Sequence, residues 1–176
     1  QACKEGLIEK IDPSILPDGA NGVAAAQDFV PGAIGPCWVG SVVYSQVMIA
    51  SPRLRQNPET LADFFDPAHF PGRRALSRAS PKYNREMALL ADGVAPADVY
   101  KTLSTPEGLD RAFAKLKALK PIWAHDSQSA IGWVRDGQAV MATALNGDVY
   151  ASSKKDFAPG VIWAHQLYEL DVFGIP

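Results

Sequence analysis

The stretch Phe70–Gly93, with the sequence FPGRRALSRASPKYNREMALLADG, predicts a strand, a polar loop and a helix. A Pro-Gly turn signal precedes a short strand over Arg73–Leu76. Ser80 and Pro81 suit the N-cap and first position of the helix, and an Asp-Gly pair closes it. In an open α/β sheet such a loop lies at the carboxyl edge of the strands, where ligands bind. A single loop of this kind is more often an ordinary surface connection, so other edge loops have to agree with it.

Strand-like and helical segments alternate along the chain from residue 60 onward. The further predicted strands are Trp38–Ile49, Ala139–Ala144, Val161–Ala164 and Tyr168–Ile175, and the further predicted helices are opened by Thr60, Pro96, Thr105 and Asp126 or Ser127. This order predicts an α/β fold with a mixed, mostly parallel sheet.

Three segments carry more specific expectations. Trp38–Ile49 has apolar residues on both faces, as a fully buried strand requires. Asn146-Gly147 is a hairpin signal, but the residues after it are poor strand formers, so we predict a helix from Asp148. The helix opened by Thr105 should pack on the core through one apolar face, which consists of Leu109, Ala112, Phe113, Leu116 and Leu119.

Composition excludes several classes of protein. The chain has 176 residues and 47% apolar residues, enough for one domain, or one domain and a piece of another. A net charge of −2 without a long basic run argues against a nucleic-acid partner. No apolar run is long enough to span a membrane. The start, QACKEGLIEK, predicts either a cytosolic protein or a chain from which a targeting segment was removed, and the apolar end, FGIP, suggests truncation.

Cys3 and Cys37 permit one internal disulfide. It would enclose 33 residues rich in Pro, Gly and Ala, and in the chain-entropy model such a loop is worth roughly 3–4 kcal/mol. Two unpaired, buried thiols are the alternative, and the residues alone leave both open.

Catalytic signatures are absent from the sequence. His69, His125 and His165 are too scattered to give a metal-ligand spacing, and there is no phosphate loop, nucleophile elbow or dinucleotide fingerprint. We therefore predict no metal and no cofactor. A thiol nucleophile at Cys37 is the one enzymatic hypothesis that stays open.

Two carboxylates stand out near the end of the chain. On a strand, Glu169 and Asp171 share one face, since they are two residues apart. Carboxylates on an otherwise apolar strand need partners or solvent. Either the strand lies at an edge and both side chains point to water, or at least one faces a cleft and holds a cation.

Four stretches in residues 60–176 resemble the solute-binding proteins of ABC importers, and specifically the spermidine/putrescine type. They are LADFFDPAHFPGRRAL, the run from YNREMALL to FAKLKALKP, MATALNGDVYAS and QLYELDVFGIP, in the family's order. The resemblance implies a type II binding protein, with two α/β lobes joined by crossover strands and the ligand between them. Residues 1–37 would then be a remnant of the first lobe with a connector. Residues 38–176 would be a three-layer α/β/α second lobe with crossover strands at both ends.

The resemblance also implies ligand-binding residues. Asp171 matches the family's amine-binding aspartate, and Glu169 lies where polyamine binders often have a tryptophan. Leu145, just before Asn146, lies where they place an aromatic that stacks on the ligand.

Ser80 and Tyr83 occupy positions that are acidic in polyamine binders. Together with Arg78 and the expected helix N-terminus, they form a loop suited to a negative group. These differences favour a solute with an amine and a carboxylate over a simple polyamine.

The sequence thus predicts the periplasmic solute receptor of an ABC importer, with no catalysis. Its partners would be a small cationic or zwitterionic solute and a membrane permease, and no nucleic acid. Apolar surface on the first-lobe remnant would favour self-association. The rival hypothesis is a small cytosolic α/β thiol enzyme that uses Cys37.

Overall fold

The computed structural model describes residues 2–176, and within this range the chain forms seven α-helices and six strands. The helices are α1 (Ala25–Asp28), α2 (Leu61–Phe64), α3 (Asn84–Ala91), α4 (Val99–Leu103), α5 (Pro106–Leu119), α6 (Ser127–Arg135) and α7 (Asn146–Ser153). The strands are β1 (Ile34–Gly35), β2 (Trp38–Ala50), β3 (Arg74–Ser77), β4 (Ile122–Ala124), β5 (Met141–Leu145) and β6 (Gly160–Phe173).

The chain divides into two compact units. The first unit contains the residues up to Tyr44 together with Tyr168–Pro176, and the second unit is Ser45–Leu167. The long strands β2 and β6 contribute residues to both units. The division into a first-lobe remnant over 1–37 and a second lobe over 38–176 stays a prediction.

The sheet of the second unit is mixed, as predicted. The later half of β2 pairs antiparallel with β5, β5 pairs parallel with β3, and β3 pairs parallel with β4. β6 also pairs with β2. β4 was not predicted, because three residues between a proline and a helix cap are too few to show a pattern.

Two hydrophobic cores lie on opposite faces of this sheet. One contains buried side chains from α2, α3, α4 and α5 together with Met48, Leu76 and Met141 of the strands. The other contains side chains from α6 and α7 together with Ala75 and Ala142. Strand residues alternate between the two cores, as the pleat requires. The three-layer α/β/α arrangement predicted from the family resemblance is therefore confirmed.

Most helix starts follow the sequence signals. Thr60 caps α2 in a capping box with Asp63, and Thr105 caps α5 by accepting from the Gly108 N–H. Asp126 caps α6. The helix after Leu145 is also confirmed, although it begins at Asn146 and not at Asp148.

The start of α3 differs from the prediction. α3 begins at Asn84, so Ser80 is not its N-cap and Pro81 is not its first residue. The N-cap is Tyr83, whose φ of 68° lies outside the helical region and whose side chain makes no capping hydrogen bond. The Asn84 amide donates to the Ser77 and Ser80 carbonyls, which holds the preceding residues in a non-helical loop.

Three further expectations were wrong in detail. Only the later half of β2, Ser45–Ala50, is buried, while residues 41–43 are exposed. The two strands expected over residues 161–175 are one strand, β6, in which His165 has a φ of 57°. Phe113 is 52% exposed, although it was expected to face the core.

The first unit has a small core and a disulfide. Cys3 and Cys37 are bonded, with their Cα atoms 5.8 Å apart, which confirms the disulfide over the two free thiols. Among the described residues of this unit, the buried apolar ones are Ala25, Ala33 and Cys37. Covalent closure therefore takes the place of a large apolar core here.

Candidate functional site

The carboxyl ends of three strands lie at one edge of the second unit. β4 and β5 are both parallel to β3, so Ser77, Ala124 and Leu145 end their strands on the same side. Each strand is followed by a loop or directly by a helix N-terminus. In open α/β sheets this is the edge that binds ligands. The segments after β4 and β5 lie at the same edge as the loop after β3, so the loop after β3 is not an isolated surface connection.

Hydrogen bonds tie the elements at this edge together. The Arg78 N–H donates to the Ala124 carbonyl at 2.9 Å and joins the ends of β3 and β4. The Leu145 N–H donates to the Ser127 hydroxyl at 2.9 Å, which connects β5 to the start of α6. These bonds cross between neighbouring elements, so the edge is a fixed framework and not a set of independent loops.

The loop Arg78–Tyr83, called the β3 loop below, carries Arg78, Ser80 and Tyr83 of the predicted site. Besides its bonds to Asn84, it is held by the Lys82 N–H, which donates to the Ser80 hydroxyl at 3.1 Å. The positive φ of Tyr83 is unfavourable for a bulky residue and costs on the order of 1–3 kcal/mol. Such strained positions cluster at ligand-binding sites.

Asp126 and His125 follow β4. The Asp126 carboxylate accepts from both the N–H and the hydroxyl of Ser129, each at 2.7 Å. Hydrogen bonds from the Ser129 hydroxyl and then its N–H lower the pKa of Asp126. Asp126 is therefore a charged cap on α6 at neutral pH, and its capping role accounts for its position.

Leu145 and Asn146 lie where β5 meets α7. The Asn146 side-chain oxygen accepts from the Ser45 N–H at 3.0 Å and fixes the start of α7 on β2. Asn146 also lines a cavity of about 490 Å³ together with Tyr150 and Trp163. Leu145 is half-buried and pairs in register with Gln46 of β2.

Glu169 and Asp171 belong to the first unit. The Tyr44 hydroxyl donates to the Glu169 carboxylate at 3.1 Å, joining β2 to β6, and Glu169 is half-buried. Asp171 is exposed. The two carboxylates thus differ in environment, because the tyrosine holds one while the other faces solvent.

The predicted site residues therefore form three groups. Arg78, Ser80 and Tyr83 share the β3 loop, Leu145 and Asn146 share the end of β5, and the first unit holds the two carboxylates. The first two groups lie at the same edge of the second unit.

Sequence reasoning missed several residues at or beside this edge, namely Ser45, Asn84, Phe113, Trp123 and Ser127. Hydroxyl and amide side chains that bind backbone groups of another element carry no periodic signal. Trp123 was missed together with its three-residue strand.

Neither a metal centre nor a membrane span is found in residues 2–176. No three or more His, Cys, Asp and Glu side chains in this range are grouped so that they could hold a metal ion. None of the described helices combines the length and apolar character needed to cross a membrane.

Comparison with known proteins gives the family. Residues 1–176, the whole given chain, match a protein family described as "bacterial extracellular solute-binding protein". The chain belongs to this family. The gamma-aminobutyric acid-binding protein of Pseudomonas aeruginosa is 40% identical over 178 residues, which cover 99% of this chain and 48% of that protein. The Atu4243 GABA receptor, a solved structure, is 30% identical with a TM-score of 0.81, covering 100% of this chain and 52% of that one.

The resemblance to solute-binding proteins is thereby confirmed, but its spermidine/putrescine part is not. PotD of Streptococcus pneumoniae, a spermidine/putrescine substrate-binding protein, shares only 14% identity at a TM-score of 0.72, with 99% of this chain and 53% of that one covered. This likeness shows the fold alone. The chain spans about half the length of the relatives it matches.

The thiol-enzyme alternative is not supported. Cys37 is fully buried and bonded to Cys3, so it offers no thiolate. The two more similar relatives are named as a binding protein and a receptor.

Proposed function

We propose that the protein is a periplasmic solute receptor of an ABC importer, which delivers its solute to a membrane permease and catalyses no reaction. The observation that carries this proposal is the joined edge of β3, β4 and β5 in a chain that matches the solute-binding family throughout. Rigid edge loops on an α/β sheet suit ligand capture.

We further propose that the solute carries both an ammonium and a carboxylate group. In the first unit, Asp171, assisted by Glu169, is the candidate partner of an ammonium group, because an ammonium taken from water needs a carboxylate partner. In the second unit, Arg78 and the Ser80 hydroxyl of the β3 loop are the candidate partners of a carboxylate group, and Tyr83, Leu145 and Asn146 are candidate contacts at the same edge. Both relatives named for gamma-aminobutyric acid support this class, since that compound has one group of each charge.

A polyamine such as putrescine is the second candidate. It is favoured by the match of Asp171 to the family's amine-binding aspartate. It is disfavoured by Ser80 and Tyr83, which stand where polyamine binders have acids. Neither residue offers the β3 loop a carboxylate for an ammonium group, and a desolvated ammonium without such a partner is costly.

Calorimetry of the full chain with a matched four-carbon series tests the assignment. The compounds are 4-aminobutyrate, putrescine, butylamine and butyrate, which differ only in their end groups. We expect binding of 4-aminobutyrate above the other three. Tight binding of putrescine without a response to 4-aminobutyrate would instead establish the polyamine receptor.

A substitution then tests the amine end. Asp171→Asn should weaken 4-aminobutyrate binding by about 30-fold or more, since losing one partner of a desolvated charge pair costs about 2 kcal/mol or more. Asp110→Asn, on the exposed side of α5, is the matched control and should leave binding unchanged. Equal effects of the two substitutions would contradict the role of Asp171.

A further inference from the structure

A small cavity of about 240 Å³ lies between the β3 loop, the start of α3, α5 and β4. Its apolar wall consists of Phe113 and Leu116 of α5 and Trp123 of β4. The cavity lies wholly within the second unit.

The aromatic wall is open to solvent on one side. Phe113 is 52% exposed and Trp123 is 44% exposed, whereas Leu116 beneath them is buried. Trp123 pairs in register with Leu76, so its side chain lies on the face of the sheet that α3 and α5 cover. A flat apolar ligand could therefore bury itself against two aromatic rings that solvent now contacts.

Two arginines line the same cavity. Arg78 comes from the β3 loop, and Arg85 comes from the first turn of α3 and donates through Nε to the Pro81 carbonyl at 3.3 Å. Within residues 2–176 as described, neither guanidinium has a carboxylate within 4.0 Å. Other arginines of the second unit, such as Arg111, do have such partners.

These features specify the ligand by charge and shape. An arginine without an acidic partner matches a carboxylate in geometry and can bind it through two parallel hydrogen bonds. Ser77, Ser80 and Asn84 also line the cavity, although the Asn84 amide already donates to the Ser77 and Ser80 carbonyls. In a small anion with a flat apolar body, the negative group would contact the arginines and the apolar body would contact the two aromatic rings.

We propose that this cavity binds a small carboxylate with a compact apolar or aromatic body. The inference rests on the proposed function and deepens it, because Arg78 and Ser80 are the residues to which that function assigns the solute's carboxylate. It adds that preferred solutes carry a compact apolar body beside this carboxylate.

Titration of the 176-residue protein with matched ring compounds tests the site. The probes are benzoate, cyclohexanecarboxylate and the neutral benzamide, followed by NMR saturation transfer and calorimetry. We expect benzoate and cyclohexanecarboxylate to bind and benzamide to bind about tenfold more weakly or not at all, a difference of about 1.4 kcal/mol. Equal binding of benzamide and benzoate would overturn the proposal, as would no binding of benzoate at about 10 mM.

Substitutions locate the binding. Arg78→Gln and Arg85→Gln should each weaken benzoate binding by about tenfold, whereas Arg55→Gln, an exposed arginine elsewhere in the second unit, should change it by less than about twofold. Equal weakening by all three would mean nonspecific charge attraction and would overturn the site.

A second pair of variants guards against loss of the loop structure. Trp123→Leu should weaken benzoate binding, while Trp163→Leu, at a tryptophan on β6 that is 56% exposed against 44% for Trp123, should not. The urea midpoint of every variant is measured in parallel to show that the variant is folded. Arg85→Lys is a further control, because it keeps a positive charge where the Arg85 guanidinium donates to the Pro81 carbonyl. Unchanged benzoate binding in folded Trp123→Leu would contradict the proposed wall.

Discussion

At the scale of single residues, Arg74 is the most demanding side chain of the fold. It is 1% exposed, at the first position of β3. Its guanidinium donates to the carbonyls of the segment that leads into β3, with distances from 2.5 to 3.5 Å, at Phe64, Phe70, Gly72, Asp63 and Asp66. Burial lowers the pKa of Arg74, yet an arginine stays charged in proteins. The Arg74 side chain thus provides these carbonyls with the hydrogen bonds that a helix or strand would otherwise provide.

Removing the guanidinium should be costly. Arg74→Met keeps the apolar stem but leaves several buried carbonyls without donors, and each such group costs about 1–3 kcal/mol. We expect a loss of about 3 kcal/mol or more in the free energy of unfolding, measured from urea transitions. Arg73→Met, at the exposed neighbour, should stay within about 0.5 kcal/mol. A stable Arg74→Met protein would show that water replaces these hydrogen bonds.

At the scale of elements, the sequence predicts a helix start well when the residues that determine it are close together in the chain. The caps at Thr60, Thr105 and Asp126 were predictable, because each cap and its partner are a few residues apart. The start of α3 was not, because the loop before it is set by the Asn84 amide. Propensity favoured a helix from Pro81, and these contacts overrode it.

The same distinction applies to the candidate site. The edge position of the β3 loop followed from strand–loop–helix order, and the family resemblance supplied the positions near Leu145 and Asp171. The cavity beside Arg78 could not be predicted, since it needs Phe113 and Trp123 from separate elements. Periodicity assigned Phe113 to the core, but no strand beyond β4 is paired in the described sheet to cover it.

The capping box of α2 gives a prediction with a defined pH dependence. The Asp63 carboxylate accepts from the Glu59 and Thr60 N–H groups at 2.8 and 2.9 Å, and these bonds, the Glu59 one first, lower its pKa. A lowered pKa stabilises the fold above the unfolded value of about 3.9, and this stability is lost as the pH falls through the folded value.

Asp63→Ala should therefore lower the free energy of unfolding by about 1 kcal/mol at pH 7 and pH 5. The difference from the unsubstituted protein should begin to shrink below about pH 4 and disappear once the pH has fallen through the lowered folded pKa of Asp63, where both proteins lack the charge. Urea transitions at each pH measure it, and Asp110→Asn serves as the control. A difference that stays constant down to pH 2 would contradict the charged cap.

At the scale of the whole molecule, the two units differ in how they are stabilised. The second unit has two apolar cores on one sheet. The first unit has few buried residues and exposes large apolar side chains, among them Val42, Val43, Tyr168 and Phe173. We expect different responses of the units to concentration and to reduction.

The exposed apolar side chains of the first unit predict self-association. Sedimentation velocity over a concentration series should show a monomer that gives way to larger species as concentration rises. Val43→Thr with Phe173→Ser should shift this transition to higher concentration, whereas Tyr100→Ser, 70% exposed in the second unit, should not. A monomer at every concentration would contradict the prediction.

Reduction of the disulfide should act on one unit alone. Cys3 and Cys37 close a segment with little apolar burial, and the cross-link is worth roughly 3–4 kcal/mol in the chain-entropy model. Both cores lie within Ser45–Leu167, where no cysteine is present. Hydrogen exchange after reduction should therefore rise in peptides before Tyr44 and stay unchanged in peptides of the second unit. A Cys3→Ala, Cys37→Ala variant should match the reduced protein without any reductant. If protection fell equally in both units, the second unit would depend on the first for its stability, and its two cores would not suffice.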